Sequence, residues 1–444
     1  SNVETLSVFL NGTNTVNAGA FSSVGAFGIT ASQDSDDITL NGLADAANVT
    51  LQDVTPGDQT NTGHSSTGNT EDGVDNVSLS GAATVGGGDS INVTRSSSDQ
   101  GTSAQTEVFA VNSLQANGFE TINLTSTGAN NSLNRVDAVT ANSLDTLDIG
   151  GDRGLDLSAL GLTAETIDAG DLSGNLRVGL GDADQTVTGG SGNDLFSIDF
   201  DNLDDNDTID GGDGTDVLSF GTGQTALDLS GGTTALDGVS NIEGVGIGLG
   251  GATLTVDDLS LSAFSGNTIN AGVTSPTITG ATFDASGVQN SAATITFNAD
   301  PNPQGMSSQA VTFNISNGTD QFTGSDGNDE VEVRDAVFLS GSDQLTGGQG
   351  DDDDLTFDAV DDAGNKQQVD AAQLAGVSGF EKLLFDDGNT TGEDYEVTLS
   401  SGVIESNLDT NGELEIDGTG SGNTNDTLDV DASAGSASGN LVFT

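Results

Sequence analysis

Two segments set closely spaced glycines ahead of an aspartate and an apolar residue. They are Gly189-Gly190-Ser191-Gly192-Asn193-Asp194-Leu195-Phe196 and Gly211-Gly212-Asp213-Gly214-Thr215-Asp216-Val217-Leu218. Glycine lets the backbone turn tightly with its carbonyls aimed inward, and aspartate adds a hard carboxylate oxygen. That donor set suits calcium, and the pattern is the calcium-binding nonapeptide of parallel β-rolls. A third copy, Gly324-Ser325-Asp326-Gly327-Asn328-Asp329-Glu330-Val331, keeps the frame with one glycine replaced. A fourth, Gly347-Gly348-Gln349-Gly350-Asp351-Asp352, carries an extra aspartate that moves the apolar residue to Leu355 and shifts the register.

The expected metal-binding residues follow directly. They are Gly189, Gly190, Gly192 and Asp194; Gly211, Gly212, Asp213, Gly214 and Asp216; Gly324, Asp326, Gly327 and Asp329; and Gly347, Gly348, Gly350 and Asp352. Asp207 joins them from the cluster Asp199, Asp201, Asp204, Asp205 and Asp207, which faces the opposite edge of the turn. That cluster reads equally as a further calcium position or as exposed charge, and so does the run Asp351–Asp354. Gly86–Asp89 and Gly418–Asp431 read as ordinary turns.

In a roll, each ion would bridge chain segments roughly 20 residues apart, the length of one repeat. Without it, the carboxylates would oppose one another. At dissociation constants of roughly 10⁻⁴–10⁻³ M, ligand at 100 times Kd contributes about 2.7 kcal/mol per site. A few such sites match a typical domain stability of roughly 5–15 kcal/mol. Folding that depends on several calcium ions is therefore expected.

Catalysis is poorly supplied. His64 is the one histidine and Tyr395 the one tyrosine, and Cys and Trp are absent. No zinc-protease pair or thiol nucleophile exists, a polysaccharide-cleaving site of carboxylates with Tyr, His or basic residues is hard to build from one Tyr and scattered bases, and the aspartates are too many for spacing to nominate an acid/base pair. The reading is that the chain is not an enzyme. With no Cys there are no disulfides, so metal would supply the cross-links.

The chain has 444 residues and a formal charge of −62, from 69 acidic and 7 basic residues. The bases (Arg95, Arg135, Arg153, Arg177, Arg334, Lys366 and Lys382) are scattered, so nucleic acid and anionic bilayers would be repelled. Aspartate greatly outnumbers glutamate, which fits calcium turns, although an acidic surface adapted to salt would also raise the charge. No apolar run approaches a membrane span. The chain opens on Ser1, as expected of a mature secreted product and equally of one that has lost its initiator Met.

The elements that must carry these turns are strands. A phrase of acidic residue or Gln, then Thr, then an apolar residue recurs at Thr121, Thr146, Thr166, Thr186 and Thr208. A repeat near 20 residues with one or two short strands is the signature of a β-solenoid. The two complete nonapeptides would then occupy one corner on successive turns. A larger duplication couples Gly211–Phe220 with Gly238-Val239-Ser240-Asn241-Ile242-Glu243, and Gly347–Phe357 with Gly376-Val377-Ser378-Gly379-Phe380-Glu381. It reads as calcium turn, excursion of about two strands, and re-entry strand starting at the Glu.

The fold class is all-β with low helix content: β-solenoid or parallel β-roll segments with calcium-binding turns, plus β-sandwich-like or irregular β domains. Four regions are expected. Residues 1–104 form an N-terminal β domain with a long loop over 56–73; 105–265 form a solenoid; 266–316 form a connecting β segment with a Pro-containing turn over 300–304; 317–444 form a second calcium-bearing β domain.

The Gly-Gly-x-Gly-x-Asp repeats, the phrases GVSNIEG and GVSGFEK, the Thr/Asn/Ala/Gly-rich strands and the lack of Cys and Trp together resemble calcium-dependent surface-layer proteins of Gram-negative bacteria, of the repeats-in-toxin (RTX) group. The resemblance covers roughly 105–260 and 317–444. It implies a secreted, extracellular protein that tiles the cell surface with copies of itself. It also implies calcium at folds and lattice contacts, and a region held by lipopolysaccharide or another surface glycan. By motif match the calcium roles fall on Asp194, Asp216, Asp329 and Asp352. The chain departs from the family in having few tandem repeats and a more acidic balance. Two other readings stand beside it: a fragment of a large calcium-binding RTX adhesin, and a secreted calcium-stabilised carbohydrate-binding module.

Overall fold

Alternation of side chains builds many of the strands. In Thr121–Gly128, Ile122, Leu124 and Ser126 point inward while Thr121, Asn123 and Thr125 point outward, as a strand with one covered face requires. Thr146–Gly151, Thr253–Asp257 and Lys382–Asp386 begin with the same alternation. The computed structural model describes residues 4–9, 13–21, 24–30, 36–52, 74–81, 90–97, 109–128, 134–141, 143–221, 226–230, 236–274, 278, 280–299, 310–350, 352–358, 366–386, 394–418, 427–433 and 439–444. These residues are mostly strand, arranged in parallel sheets. Their one α-helix, Ser401–Ser406, starts at Ser400, whose hydroxyl accepts the Val403 N–H at 3.3 Å.

The chain forms two units, Ser1–Leu218 with Asp237–Ile242, and Ser219–Leu236 with Glu243–Thr444. In the first, strands alternate between two sheets as the chain advances. One sheet includes Ala47–Gln52, Ser90–Ser97, Thr121–Gly128, Thr146–Gly151, Thr166–Leu172, Thr186–Thr188, Thr208–Asp210 and Val239–Ser240 in that order. The other includes Val74–Gly81, Phe109–Asn117, Asn134–Val136, Leu155–Leu162, Leu176–Leu180 and Leu195–Ile198. The recurring threonines stand in one row, Thr121 beside Thr146, Thr166, Thr186 and Thr208. Behind them Ile122, Leu147, Ile167, Val187 and Ile209 form a buried column.

Pairing continues unchanged across position 104. Ser90–Ser97 lies parallel to Thr121–Gly128 with Ile91 opposite Ile122, and Ala47–Gln52 lies parallel to Ser90–Ser97. The pairs among described residues before 104 are parallel, whereas a sandwich is built from antiparallel ones. Connections of unequal length hide the period there, because loop closure costs only slowly more as a loop lengthens.

In the second unit, one sheet runs Gly244–Ile247, Thr268–Val273, Thr294–Asn298, Thr319–Thr323, Gln344–Thr346 and Val377–Ser378. The other runs from Ala226–Asp228 through Thr253–Asp257, Ala281–Gly287, Val311–Asn314, Glu330–Val333, Asp354–Asp358, Lys382–Asp386 and Glu413–Asp417 to Asn440–Phe443. A third, Lys366–Val369, Asp394–Thr398 and Leu428–Asp431, lies outside both. Phe283 stacks on Phe313 at 5.8 Å and Phe313 on Phe322 at 5.7 Å between ring centres. The strands thus share a continuous aromatic core.

Both excursions return in the same way. Val239 lies beside Ile209, and Val377 beside Leu345. A Cβ on Gly238 would overlap the Asp207 carbonyl oxygen, and one on Gly376 the Asp343 carbonyl oxygen. That overlap is why each returning phrase opens on glycine. A two-residue strand forms at the Val-Ser of the phrase, and a longer strand follows its Glu.

Candidate metal-binding corners

In the first unit, residues 189–194 stack on residues 211–216. The Gly189 N–H donates to the Asp210 carbonyl at 2.7 Å, and the Asp213 N–H to the Gly190 carbonyl at 3.0 Å. No side chain fits between these layers. A Cβ on Gly189 would overlap the Gly211 carbonyl oxygen, one on Gly211 that of Asn241, and one on Gly214 that of Gly192. Gly212 also has φ +90°, which an L-residue rarely adopts.

The aspartates of this corner are buried, Asp194 at 2% and Asp216 at 0% exposure. Asp194 Oδ1 accepts the Leu176 N–H and Oδ2 the Gly190 N–H, both at 2.7 Å. Asp216 Oδ1 accepts the Asp194 N–H at 2.7 Å. Each carboxylate therefore holds a backbone donor one repeat earlier, a ladder of charge-assisted bonds. Burial pushes the Asp194 carboxyl above its ordinary range, and the two N–H donors oppose that rise. A carboxylate oxygen that accepts one N–H keeps acceptor capacity for a cation.

The second unit repeats the construction with residues 324–329 and 347–353. Asp329 Oδ1 accepts the Val311 N–H at 2.8 Å and Oδ2 the Ser325 N–H at 2.5 Å. Asp353 Oδ1 accepts the Asp329 N–H at 2.7 Å, and the Asp353 N–H donates to Glu381 Oε2 at 3.0 Å. A Cβ on Gly324 would overlap the Gly347 carbonyl oxygen, one on Gly347 that of Gly379, one on Gly348 that of Ser325, and one on Gly350 that of Gly327. Ser325 is tolerated in a glycine's place, and its hydroxyl accepts the Gly327 N–H at 2.9 Å.

The ladder position after Asp329 belongs to Asp353 rather than Asp352. Glu330 pairs with Asp354, so Asp353 faces Asp329 and Asp352 is left exposed. Asp353 is wholly buried, and its Oδ2 has no hydrogen-bond partner among the described residues. Burial, together with the charges of Asp329, Glu381 and Asp354, pushes its carboxyl up to about 7. Burial takes Asp329 up to about 6.

Asp207 lies away from the glycine corner, at the start of the threonine strand, in a second buried ladder. Its Oδ1 accepts the Gln185 N–H at 2.9 Å and its Oδ2 the Asp204 N–H at 3.0 Å, while Asp201, Asp204 and Asp205 are exposed. Asp320 and Asp343 are its counterparts in the second unit. The Asp320 N–H donates to Asp343 Oδ1 at 2.9 Å, and the Ser340 N–H to Asp343 Oδ2 at 2.6 Å. Where the first unit has neutral Gln185, the second has Asp320, whose carboxyl burial and the Asp343 charge push up to about 7.

Of the remaining expected residues, Asp213 is exposed and Asp326 half-buried. Asp351, His64, residues 56–73, Gly86–Asp89, 300–304 and 419–426 lie outside the described residues. Among the described residues, no three His, Asp or Glu side chains converge as a metal cluster. Calcium at a corner would draw on stacked carbonyls with one or two carboxylates, a donor set this ion accepts. Glu381 and the ladder Asn175–Asn193–Thr215 were not singled out from sequence. In that ladder Asn175 Oδ1 accepts the Asn193 N–H at 3.0 Å, and Asn193 Oδ1 the Thr215 N–H at 3.1 Å. The Glu within the returning phrase and the Asn beside the motif Asp were their only signals.

Comparison with protein-family models, with curated proteins and with solved structures returned no match.

Proposed function

We propose that this chain is a structural, calcium-stabilised protein of the RTX type that self-assembles into a two-dimensional surface layer outside a Gram-negative cell. On this reading the sheets are β-roll or solenoid segments, and the two corners are calcium turns. Asp194, Asp216, Asp329 and Asp353 would hold the ion with carbonyls of the stacked glycines, and Glu381 would close the second ladder. A surface glycan such as lipopolysaccharide would anchor the layer.

One observation carries the proposal. Asp353 brings a wholly buried carboxylate oxygen, without a hydrogen-bond partner among the described residues, to a corner already occupied by Asp329 and Glu381. Such a group must take up a proton or a cation. Calcium supplies positive charge to oxygen ligands and would leave the carboxylate ionised. The chain's own part is to fix the stack: the glycines admit the close approach, and the N–H ladder orients the carboxylates. At −62 per molecule, an array of copies also needs divalent ions or salt to suppress repulsion.

Calorimetric titration with calcium, alongside negative-stain imaging of cells in calcium and in EGTA, tests the reading. Uptake of several ions and release of sheets by EGTA are expected. A chain that takes up no calcium at millimolar concentration, or a lattice indifferent to chelation, would overturn it.

A further inference from the structure

In the second unit, the sheet that runs from Ala226–Asp228 to Asn440–Phe443 gathers an amide and two carboxylates under one arginine. Asp284, Asn314 and Glu332 stand side by side on the neighbouring parallel strands Ala281–Gly287, Val311–Asn314 and Glu330–Val333. Phe313 packs in the core against Phe283, so by alternation Asn314 faces outward with the two acids. Asn314 is nevertheless only 3% exposed, and its Oδ1 has no hydrogen-bond partner among the described residues. Arg334 spans the row: its Nη2 lies 3.7 Å from Asp284 Oδ2 and its Nε 3.3 Å from Glu332 Oε1. The strands of Asp284 and Glu332 are two spacings apart, about 10 Å, yet both carboxylates reach a single guanidinium. They therefore converge over Asn314.

One arginine serves this cluster incompletely. A guanidinium is rich in N–H donors, and none of them satisfies Asn314 Oδ1. The contact with Asp284 is longer than a hydrogen bond, and the Arg334 side chain is 38% exposed. Burial still holds the Glu332 carboxyl above its ordinary range, with Arg334 opposing the rise and the Asp358 charge adding to it. Two carboxylates and an amide oxygen meeting over one strand form a hard, irregular donor set. Calcium accepts such a set with water completing its shell, whereas magnesium demands near-ideal octahedral geometry. We propose that Asp284, Asn314 and Glu332 form a calcium site on this sheet face, and that Arg334 is the resident counter-ion that the metal displaces. The site is separate from the glycine corners and does not depend on the reading given to them.

Equilibrium dialysis of the full chain against calcium tests the proposal. Asp284→Asn with Glu332→Gln should bind one ion fewer per chain than wild type. Asn314→Ala changes no charge and should weaken that ion about fivefold or more, whereas an ion merely attracted by the acidic field would be unmoved. The nearly isosteric Asn314→Asp should tighten it about fivefold or more, since affinity follows ligand charge, and keeps the test decisive if Asn314→Ala does not fold. Arg334→Met removes the competitor. It should tighten the same ion and should melt below wild type in EGTA, with calcium closing the gap. An ion count unchanged in Asp284→Asn with Glu332→Gln, or an affinity indifferent to both Asn314 variants, would overturn the site and leave the corner reading standing. One ion lost from that pair, in a chain whose Asp353→Asn variant loses none, would uphold the site and count against calcium at the second corner.

Discussion

The backbone N–H of Asp329 donates to Oδ1 of Asp353 at 2.7 Å, one repeat further along the chain. The bond from Asp194 to Asp216 in the first unit has the same length. Motif aspartates are therefore structural acceptors before they meet any ion. Their substitution has two separable effects.

For Asp194→Ala with Asp216→Ala, the Leu176, Gly190 and Asp194 N–H groups lose their acceptors. Each buried orphan costs about 1–3 kcal/mol, so the melting temperature should fall even in EGTA. In saturating calcium the fall should be larger, by about 2.7 kcal/mol for each site lost at 100 times Kd. Calorimetric melts in both media measure the difference; identical losses would leave the hydrogen-bond role alone.

Asp353→Asn keeps the acceptor for the Asp329 N–H and removes the buried charge. At pH 8 in EGTA the variant should be more stable than wild type by about 1–3 kcal/mol. It should also gain less from added calcium. Chemical denaturation with and without calcium reads both quantities; a variant less stable than wild type in EGTA would contradict the proposed strain at this carboxylate.

The Asp320 carboxyl rises from 3.8 to about 7 in the folded chain, from burial first and the Asp343 charge second. The folded protein then binds this proton more tightly than the unfolded chain. Its stabilisation is complete below about pH 4 and is lost as pH rises through about 7, a span worth at most about 4 kcal/mol. In EGTA, stability should therefore fall between pH 5 and 8. Asp320→Gln, which copies Gln185 of the first unit, should flatten that slope and raise stability at pH 8. An unchanged slope in denaturation curves would remove Asp320 from the account.

Gly347→Ala would drive a Cβ into the Gly379 carbonyl oxygen, whereas nothing lies within 4 Å of a Cβ on Gly221. Overpacking of this kind costs about 1–3 kcal/mol or more. Gly347→Ala should lower the melting temperature by many degrees, and Gly221→Ala should leave it within a degree or two. Comparable melts for the two would show that the corner can widen.

Much of the pairing was legible in the residues. The spacing from Thr121 to Thr208 predicted one row, and those threonines do stand side by side. The nonapeptides at 189 and 211 were expected on one corner, and Asp194 bonds to Asp216 there. Residues 1–104 were harder because the connections between their strands vary in length, which breaks the period that the parallel pairing keeps. Asp353 was missed because one added residue before it shifts the frame by a single position. Only the neighbouring strand, pairing Glu330 with Asp354, resolves which aspartate turns inward.

The amino-acid string alone determined that the chain is β-rich, glycine-cornered, without cysteine and heavily anionic, because composition and short-range periodicity carry those properties locally. Tertiary structure decided which carboxylates are buried and which backbone donors they accept. Those properties depend on register between strands some twenty or more residues apart. A slip of one residue exchanges inside for outside.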